Sequence, residues 1–168
     1  MPNDPCALRI VPAQESHLGL VLSFIRKLAQ YERLTDQVVA DEDTLRESLF
    51  GAHPGAEVLL AYVGDQPAGF AVFFHNFSTF EGRHGIYLED LFVDEEHRGR
   101  GIGKALLAYL ARLARDRKCA RLNWAVLDWN RPAIDFYERL GAQLLNDWRI
   151  CRLSGKALEE LAKSSSLL

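Results

Sequence analysis

The stretch EEHRGRGIGKALL, residues Glu95–Leu107, decides the fold because it joins a glycine-rich turn to the start of an amphipathic run. The glycines in its RGRGIG segment are so closely spaced that they indicate positive φ, or a backbone that a ligand approaches with no Cβ in the way. The apolar spacing after Lys104 predicts a helix. The first turn of a helix offers unpaired N–H groups and a partial positive charge. The loop therefore suits a phosphate or pyrophosphate.

The glycine spacing excludes two common nucleotide-binding motifs. A dinucleotide fingerprint requires G-x-G-x-x-G, whereas Gly99, Gly101 and Gly103 form G-x-G-x-G. A P-loop requires four residues between its glycines and Ser or Thr after its lysine, whereas Ala105 follows Lys104 here. On this motif alone, a glycine-rich turn that binds no ligand is an equally good interpretation.

Strand and helix patterns alternate on both sides of this loop. The patterns predict strands over 7–11, 57–63, 68–77, 85–93, 120–127 and 148–153, and helices over 16–30, 41–50, 104–118 and 132–140. The turn-rich residues 64–67 favour a hairpin. We therefore expect one α/β (α+β) domain over residues 1–168, with a sheet covered by helices on both faces and a frayed tail at 164–168.

Composition narrows the range of partners. The 168 residues are 48% hydrophobic and carry a net charge of −3, without the basic footprint that nucleic-acid binding needs. The three cysteines are widely spaced and lack metal-ligand spacing to histidine, as suits a reducing cytoplasm. No stretch reaches the roughly 18 apolar residues of a membrane helix. We expect a soluble cytoplasmic protein with no nucleic-acid, membrane or metal partner.

Two carboxylates interrupt the apolar strand YLEDLFV. Aspartate is depleted in strands of this kind, so Glu89 and Asp90 require an explanation. Period two places them on opposite faces, and a paired-carboxylate site would require a β-bulge. Solvation at the strand rim, or pairing with arginine, is one interpretation. The other is that Glu89 contacts a substrate.

Four motifs together resemble the GNAT acetyltransferases. HRGRGIGKALL fits the family signature R/Q-x-x-G-x-G/A through Arg98, Gly101 and Gly103. With YLEDLFV, LDWN and AIDFYERLGA, in this chain's order and spacing, it resembles the diamine (spermidine/spermine) acetyltransferase branch. AVLDWN is most similar to the thialysine-acetylating members, and LAQYERLTDQV resembles the acceptor loop of the branch. The resemblance covers nearly the whole chain.

The resemblance implies a mixed, mostly antiparallel central sheet flanked by helices. It also implies acetyl-CoA as cosubstrate, bound where the central strand splays from its neighbour. It implies main-chain contacts to the pantetheine arm from Leu91, Phe92 and Val93. The other implied cofactor residues are Arg98, Gly99, Arg100, Gly101, Ile102, Gly103 and Lys104 around the pyrophosphate, and Asn130, Pro132, Ala133 and Tyr137 along the arm.

The resemblance also implies which residues move protons. A primary amine is almost wholly ammonium at pH 7, so it has no lone pair with which to attack a thioester. Glu89 would attract this cation and take its proton, directly or through a water molecule, while Tyr137 would protonate the leaving thiolate. Tyr31, Glu32 and Glu89 would surround the acceptor. On spacing alone, Tyr137 is equally a packing aromatic of its helix.

The expected activity is therefore acetyl transfer to a small basic amine by direct attack in a ternary complex. The resemblance also implies a homodimer. Arg83 and His84 lie in a segment that departs from the branch pattern. We expect them to receive the carboxylate of a thialysine-like amino acid and to repel a long polyamine. Two alternatives are a catalytically silent acyl-CoA-binding module and an N-acetyltransferase of proteins or peptides.

Overall fold

The computed structural model describes residues 7–164, and the chain divides into two compact units, Met1–Ala125 and Val126–Leu168. The strands are β1 (Leu8–Pro12), β2 (Glu57–Val63), β3 (Gln66–Ser78), β4 (Arg83–Val93) and β5 (Leu122–Trp124). The helices are α1 (Leu18–Tyr31), α2 (Glu42–Phe50), α3 (Ile102–Asp116), α4 (Arg131–Arg139) and α5 (Gly155–Lys163). Within residues 7–164, no helix is long and apolar enough to cross a membrane. The single domain over 1–168 stays a prediction, and residues 165–168 of the expected tail lie outside the described residues.

The first unit contains a five-stranded sheet in the order β1-β2-β3-β4-β5. Neighbouring strands are antiparallel except β4 and β5, which are parallel. Strand β5 pairs with β4 only from Ile86 to Leu88. From Glu89 onwards, no strand of the described chain pairs with that edge of β4. This confirms the implied mixed, mostly antiparallel sheet, and it leaves one edge of β4 open beyond Leu88.

Helices α1 and α2 cover one face of the sheet. Phe24 of α1 stacks on Phe70 of β3 with ring centroids 5.4 Å apart, and tilts against Phe92 of β4 at 6.2 Å. Val21 and Leu28 lie on the same stripe of α1 and extend this core. Each fully buried side chain of this size stabilises the fold by about 1.5–3 kcal/mol. The core thereby packs α1 against the start of β3 and the end of β4.

Helix α3 covers the opposite face. Its buried side chains recur at helical spacing and include Leu106 and Leu110, which are fully buried. Successive strand residues point to opposite faces, so Phe73 faces away from the α1 side on which Phe70 lies. The guanidinium of Arg117, directly after α3, lies 5.9 Å from the Phe73 ring centroid. Helices on both faces are therefore confirmed.

The carboxyl-terminal prediction is partly wrong. Residues 149–154 form neither helix nor strand, although a strand was predicted over 148–153. Trp148 and Ile150 are each 77% exposed. A strand is stabilised only by a neighbour that completes its hydrogen bonds, and no strand of the described chain pairs with this segment. The helix α5 was not predicted, and the strand predicted over 120–127 is shortened to β5.

Candidate active site

The glycine loop forms the start of α3, two residues earlier than predicted. Gly101 is the N-cap of α3 with φ of 78°, and Gly99 has φ of 76°. Glycine is favoured at both positions because this left-handed region is strained for residues with a Cβ. A Cβ added at either glycine would meet no protein atom within 4 Å. The loop therefore has open space above the N–H groups of the helix terminus.

The side chains of the loop fit a bound pyrophosphate. Arg98, Arg100 and Lys104 are exposed around the amino terminus of α3, where the helix dipole also favours an anion. Ile102 is buried in the core with 2% exposure, so only its main chain is available to a ligand. These features fit the pyrophosphate of acetyl-CoA.

The open edge of β4 fits the pantetheine arm. Antiparallel residue pairs alternate between hydrogen-bonded and non-hydrogen-bonded. The Asp94 N–H donates to Ala68 O at 2.9 Å, which makes that pair hydrogen-bonded. The main-chain groups of Leu91 and Val93 therefore point away from β3, toward the edge that β5 leaves open. Those of Phe92 point toward β3, so of the three residues predicted to contact the pantetheine, Leu91 and Val93 are the ones whose main-chain groups face the open edge.

A β-bulge in β4 changes the predicted placement of its carboxylates. Asp90 pairs with Val72 and Leu88 pairs with Phe73, so Glu89 has no residue opposite it. The extra residue interrupts the period of two. Asp90 consequently opposes Val72, which packs against the core beneath α1. The structure contains the β-bulge that a paired-carboxylate site would require, so the period-two argument for opposite faces does not apply to Glu89 and Asp90.

The bulge lies in an acidic cluster formed by Glu32, Glu89 and Asp90. Burial, with the negative charges of Glu89 and Glu32, raises the pKa of Asp90 to about 6. Burial also raises the pKa of Glu32. Within residues 7–164, no three His, Cys, Asp or Glu side chains form a candidate metal site. The cluster is a partly desolvated group of like charges, which a bound ammonium would relieve.

The sequence interpretation assigned no role to Asp90. The only sequence signal was an aspartate inside an apolar strand, and the bulge that places it beside Glu89 and Glu32 is not visible in the residue pattern.

The structure brings predicted acceptor and cofactor residues into contact. Tyr31 is the last residue of α1, and its ring centroid lies 4.9 Å from the guanidinium carbon of Arg98. Arg98 Nε donates to Val93 O at 3.0 Å, and the same guanidinium lies 5.6 Å from the ring of Phe92. The end of α1, the end of β4 and the glycine loop are therefore joined through one side chain.

The second unit carries the remaining predicted residues on or beside α4. Asn130 is the N-cap, and its Oδ1 accepts a hydrogen bond from the Ala133 N–H at 3.3 Å. Pro132 lies in the first turn, where its missing N–H is tolerated. Tyr137 is buried, with 9% exposure, and its ring lies 5.3 Å from that of Phe136. Asn130 thus caps the start of α4, and Tyr137 is a buried side chain of the same helix.

The structure places Arg83 and His84 at the start of β4, away from the acidic cluster, and their role toward the acceptor stays a prediction. Both residues begin β4, and Arg83 precedes Glu89 by six residues along the strand. At about 3.4 Å per residue, this separation is about 20 Å. His84 packs against the ring of Phe77, at 5.5 Å.

Comparisons with known proteins agree with this architecture. The model of the Acetyltransferase (GNAT) family matches residues 24–142. The chain is 41% identical over 161 residues to thialysine N-epsilon-acetyltransferase from Bos taurus, with 89% of this chain and 94% of that protein covered. It is 32% identical over 200 residues to L-ornithine N5-acetyltransferase from Arabidopsis thaliana, covering 92% and 88%. The solved structure of a Vibrio cholerae integron cassette protein is similar with a TM-score of 0.78 and 33% identity, covering 93% and 98%.

Proposed function

The chain belongs to the GNAT acetyltransferase family and is an acetyl-CoA-dependent N-acetyltransferase, and from this premise we propose that it acetylates the side-chain amine of a small basic amino acid. Thialysine is the reference acceptor, because the bovine relative is named for it. The plant relative is named for ornithine, which also carries a terminal side-chain amine. The proposal therefore concerns a class of acceptors with an ammonium at the end of a short chain.

The acidic cluster carries this proposal. Glu32 and Asp90 are partly desolvated carboxyls, and burial raises the pKa of each. A cationic acceptor that replaces their lost hydration is bound more tightly than a neutral amine or an alcohol, by about 1–3 kcal/mol for each charge-assisted contact. The cluster thereby selects small cations.

Acetyl-CoA supplies an acetyl group activated as a thioester. The open loop around Gly99 and Gly101 would hold its pyrophosphate, with Arg100 and Lys104 contributing positive charge. The outward main-chain groups of Leu91 would orient the pantetheine arm as an added strand does. This arrangement positions the reacting groups by backbone geometry.

Two residues carry the proton transfers in this proposal. Glu89, at the bulge, takes a proton from the bound ammonium directly or through water, and so frees the lone pair that attacks the thioester. Asp90 supplies a neighbouring negative charge that holds the ammonium before it loses that proton. Tyr137 keeps the role that the family resemblance implies, which is to donate a proton to the leaving thiolate.

The proposal is tested by a screen of acceptors with labelled acetyl-CoA. Thialysine, lysine, ornithine, spermidine, a diamine and peptides with free amino termini are compared by kcat/KM. We expect thialysine and ornithine to exceed spermidine and the peptides. Transfer to peptides alone would replace the small-amine class with a protein acceptor, and binding without transfer to any amine would favour the silent acyl-CoA-binding module.

The homodimer and the cytoplasmic location stay predictions. Sedimentation at micromolar concentration measures the first, and a species of only 19.0 kDa would contradict it.

A further inference from the structure

Arg98 makes contacts that a simple pyrophosphate ligand would not require. Its Nε donates to the Val93 carbonyl oxygen at 3.0 Å, so the guanidinium turns back toward the end of β4. Its Nη1 lies 3.5 Å from a carboxylate oxygen of Glu95. The guanidinium carbon lies over the ring of Tyr31, 4.9 Å from its centroid. The Arg98 side chain therefore contacts both the end of β4 and the end of α1.

Tyr31 connects this contact to the acceptor. It ends α1, and Glu32 of the acidic cluster follows it directly. The negative charge of Glu32 contributes to the raised pKa of Asp90. Any displacement of Tyr31 therefore moves a carboxylate of the acidic cluster relative to β4.

A second link between the same two elements offers a matched control. Lys27 precedes Tyr31 by four residues, so the two side chains lie on the same face of α1. Lys27 forms an ion pair with Asp94 at the other end of the loop. This ion pair also attaches α1 to the loop, but it does not involve the contact between Arg98 and the Tyr31 ring.

We propose that Arg98 is a positioning residue for the amine acceptor. Through its contact with Tyr31, it fixes the position of the acidic cluster relative to the cofactor loop. This inference rests on the proposed function. A guanidinium donates from Nε to a carbonyl oxygen while its carbon lies over a ring, and the single ammonium of lysine cannot make both contacts, so lysine cannot replace it. Arg98 then links the two substrate sites in addition to any contact with phosphate.

The test uses kcat/KM for thialysine at saturating acetyl-CoA, a condition in which weaker cofactor binding no longer affects the measurement. We expect Arg98→Lys and Tyr31→Leu each to lower it by about fivefold or more, the range of a partly desolvated cation–π contact. Tyr31→Phe keeps the ring and should lose less than Tyr31→Leu. The double variant Arg98→Lys/Tyr31→Leu should lose no more than the larger single loss, since both remove one contact.

Lys27→Met is the control, and we expect it to stay within about twofold of the wild type because an exposed ion pair contributes little. Thermal unfolding of every variant reports whether the fold is retained. A change confined to the KM for acetyl-CoA in Arg98→Lys would overturn the inference and leave the proposed function intact. Equal losses in Lys27→Met would overturn it too, because docking of α1 as a whole would then be responsible. A wild-type protein that acetylates no amine removes the proposed function and this inference together.

Discussion

Two carboxylates of the same sheet lie in opposite environments. Glu57, at the start of β2, receives two hydrogen bonds from Arg117, one of them at 2.8 Å, and this pairing lowers its pKa. Asp90, near the end of β4, is buried and lies near the negative charges of Glu89 and Glu32, and both effects raise its pKa to about 6. One carboxylate is matched by a cation of the chain, and the other is placed against like charges.

The difference separates a structural role from a functional one. The Glu57–Arg117 pair joins β2 to the end of α3 and satisfies both charges within the fold. The acidic cluster leaves negative charge poorly solvated at the bulge of β4, and perturbed groups of this kind are typical of functional sites. Carboxylates only one rung apart across β3 therefore differ in role: Glu57 serves the fold, and we propose that Asp90 serves a ligand.

The comparison is tested most strongly by replacing Glu89. Glu89→Gln should lower turnover at neutral pH by roughly 10²–10³-fold, because the bound ammonium loses its proton acceptor. The defect should partly recover at high pH, where free amine is available. Glu57→Gln is the matched control and should leave turnover unchanged. Rates measured from pH 6 to 10 check this, and a defect of equal size at every pH would assign Glu89 to positioning.

Replacing Tyr137 tests the proposed proton donor, which is an uncharged phenol rather than a carboxylate. Tyr137→Phe should lower turnover by about 10²-fold with little change in acetyl-CoA affinity, since only the hydroxyl is removed. The ring stays in its buried position on α4, so the unfolding temperature should change little. Single-turnover kinetics and calorimetry measure the two quantities. Full activity would return Tyr137 to a packing role.

Replacing Gly101 tests whether the acidic cluster acts independently of the cofactor loop. Gly101→Val should weaken acetyl-CoA binding by about 2 kcal/mol or more, because a branched side chain enters the open space of the loop and is strained at a φ of 78°. Gly101→Asn tolerates that φ and separates crowding from strain. The preference for cationic acceptors should persist in both variants. Titration calorimetry gives the affinity, and unchanged values would remove the loop from the cofactor site.

Asp90→Asn should lower kcat/KM for the acceptor and raise the stability of the folded protein. We expect kcat/KM for thialysine to fall about tenfold, because one charge-assisted contact is lost. Folding favours protonated Asp90, so the stability that this group contributes is complete below about pH 4 and is lost as pH rises through about 6. At pH 7 the variant should therefore be more stable, with an unfolding temperature higher by about 2–4 °C. A lower unfolding temperature at pH 7 would contradict the desolvated environment.

The smallest effect is expected on the stability provided by Glu57. Its pKa is lowered in the folded protein, so its contribution is present above the ordinary glutamate pKa and is lost as pH falls through the folded value. The pair is partly exposed, at 32% for Arg117 and 45% for Glu57, so solvent screening limits the effect. Glu57→Gln should lower the free energy of unfolding by about 0.5–1 kcal/mol at pH 7. Urea denaturation at pH 7 and pH 3 measures it, and an equal loss at both pH values would exclude the ion pair as its source.

Sequence patterns predicted the elements whose stability is local or amphipathic. The stripe of α1, the turn between β2 and β3 and the glycines before α3 are all visible in residue order, because helical period, turn chemistry and positive φ are properties of adjacent residues. Proline near the start of α4 and Gly141 after it delimited that helix for the same reason. The strand predicted over 148–153 failed because a strand also depends on a partner that its own residues do not specify.

The sequence by itself determined the open glycine loop before α3, because closely spaced glycines ahead of an amphipathic helix suffice to give the left-handed turn at its terminus. Only the tertiary structure decided the geometry of the acidic cluster and the contact of Arg98 with Tyr31. The bulge at Glu89 arises from the register of β4 on β3, and the contact arises from the packing of α1 across the strands. The physical reason is that pKa values and ring contacts depend on neighbours in space, which come from residues about 60 positions apart along the chain.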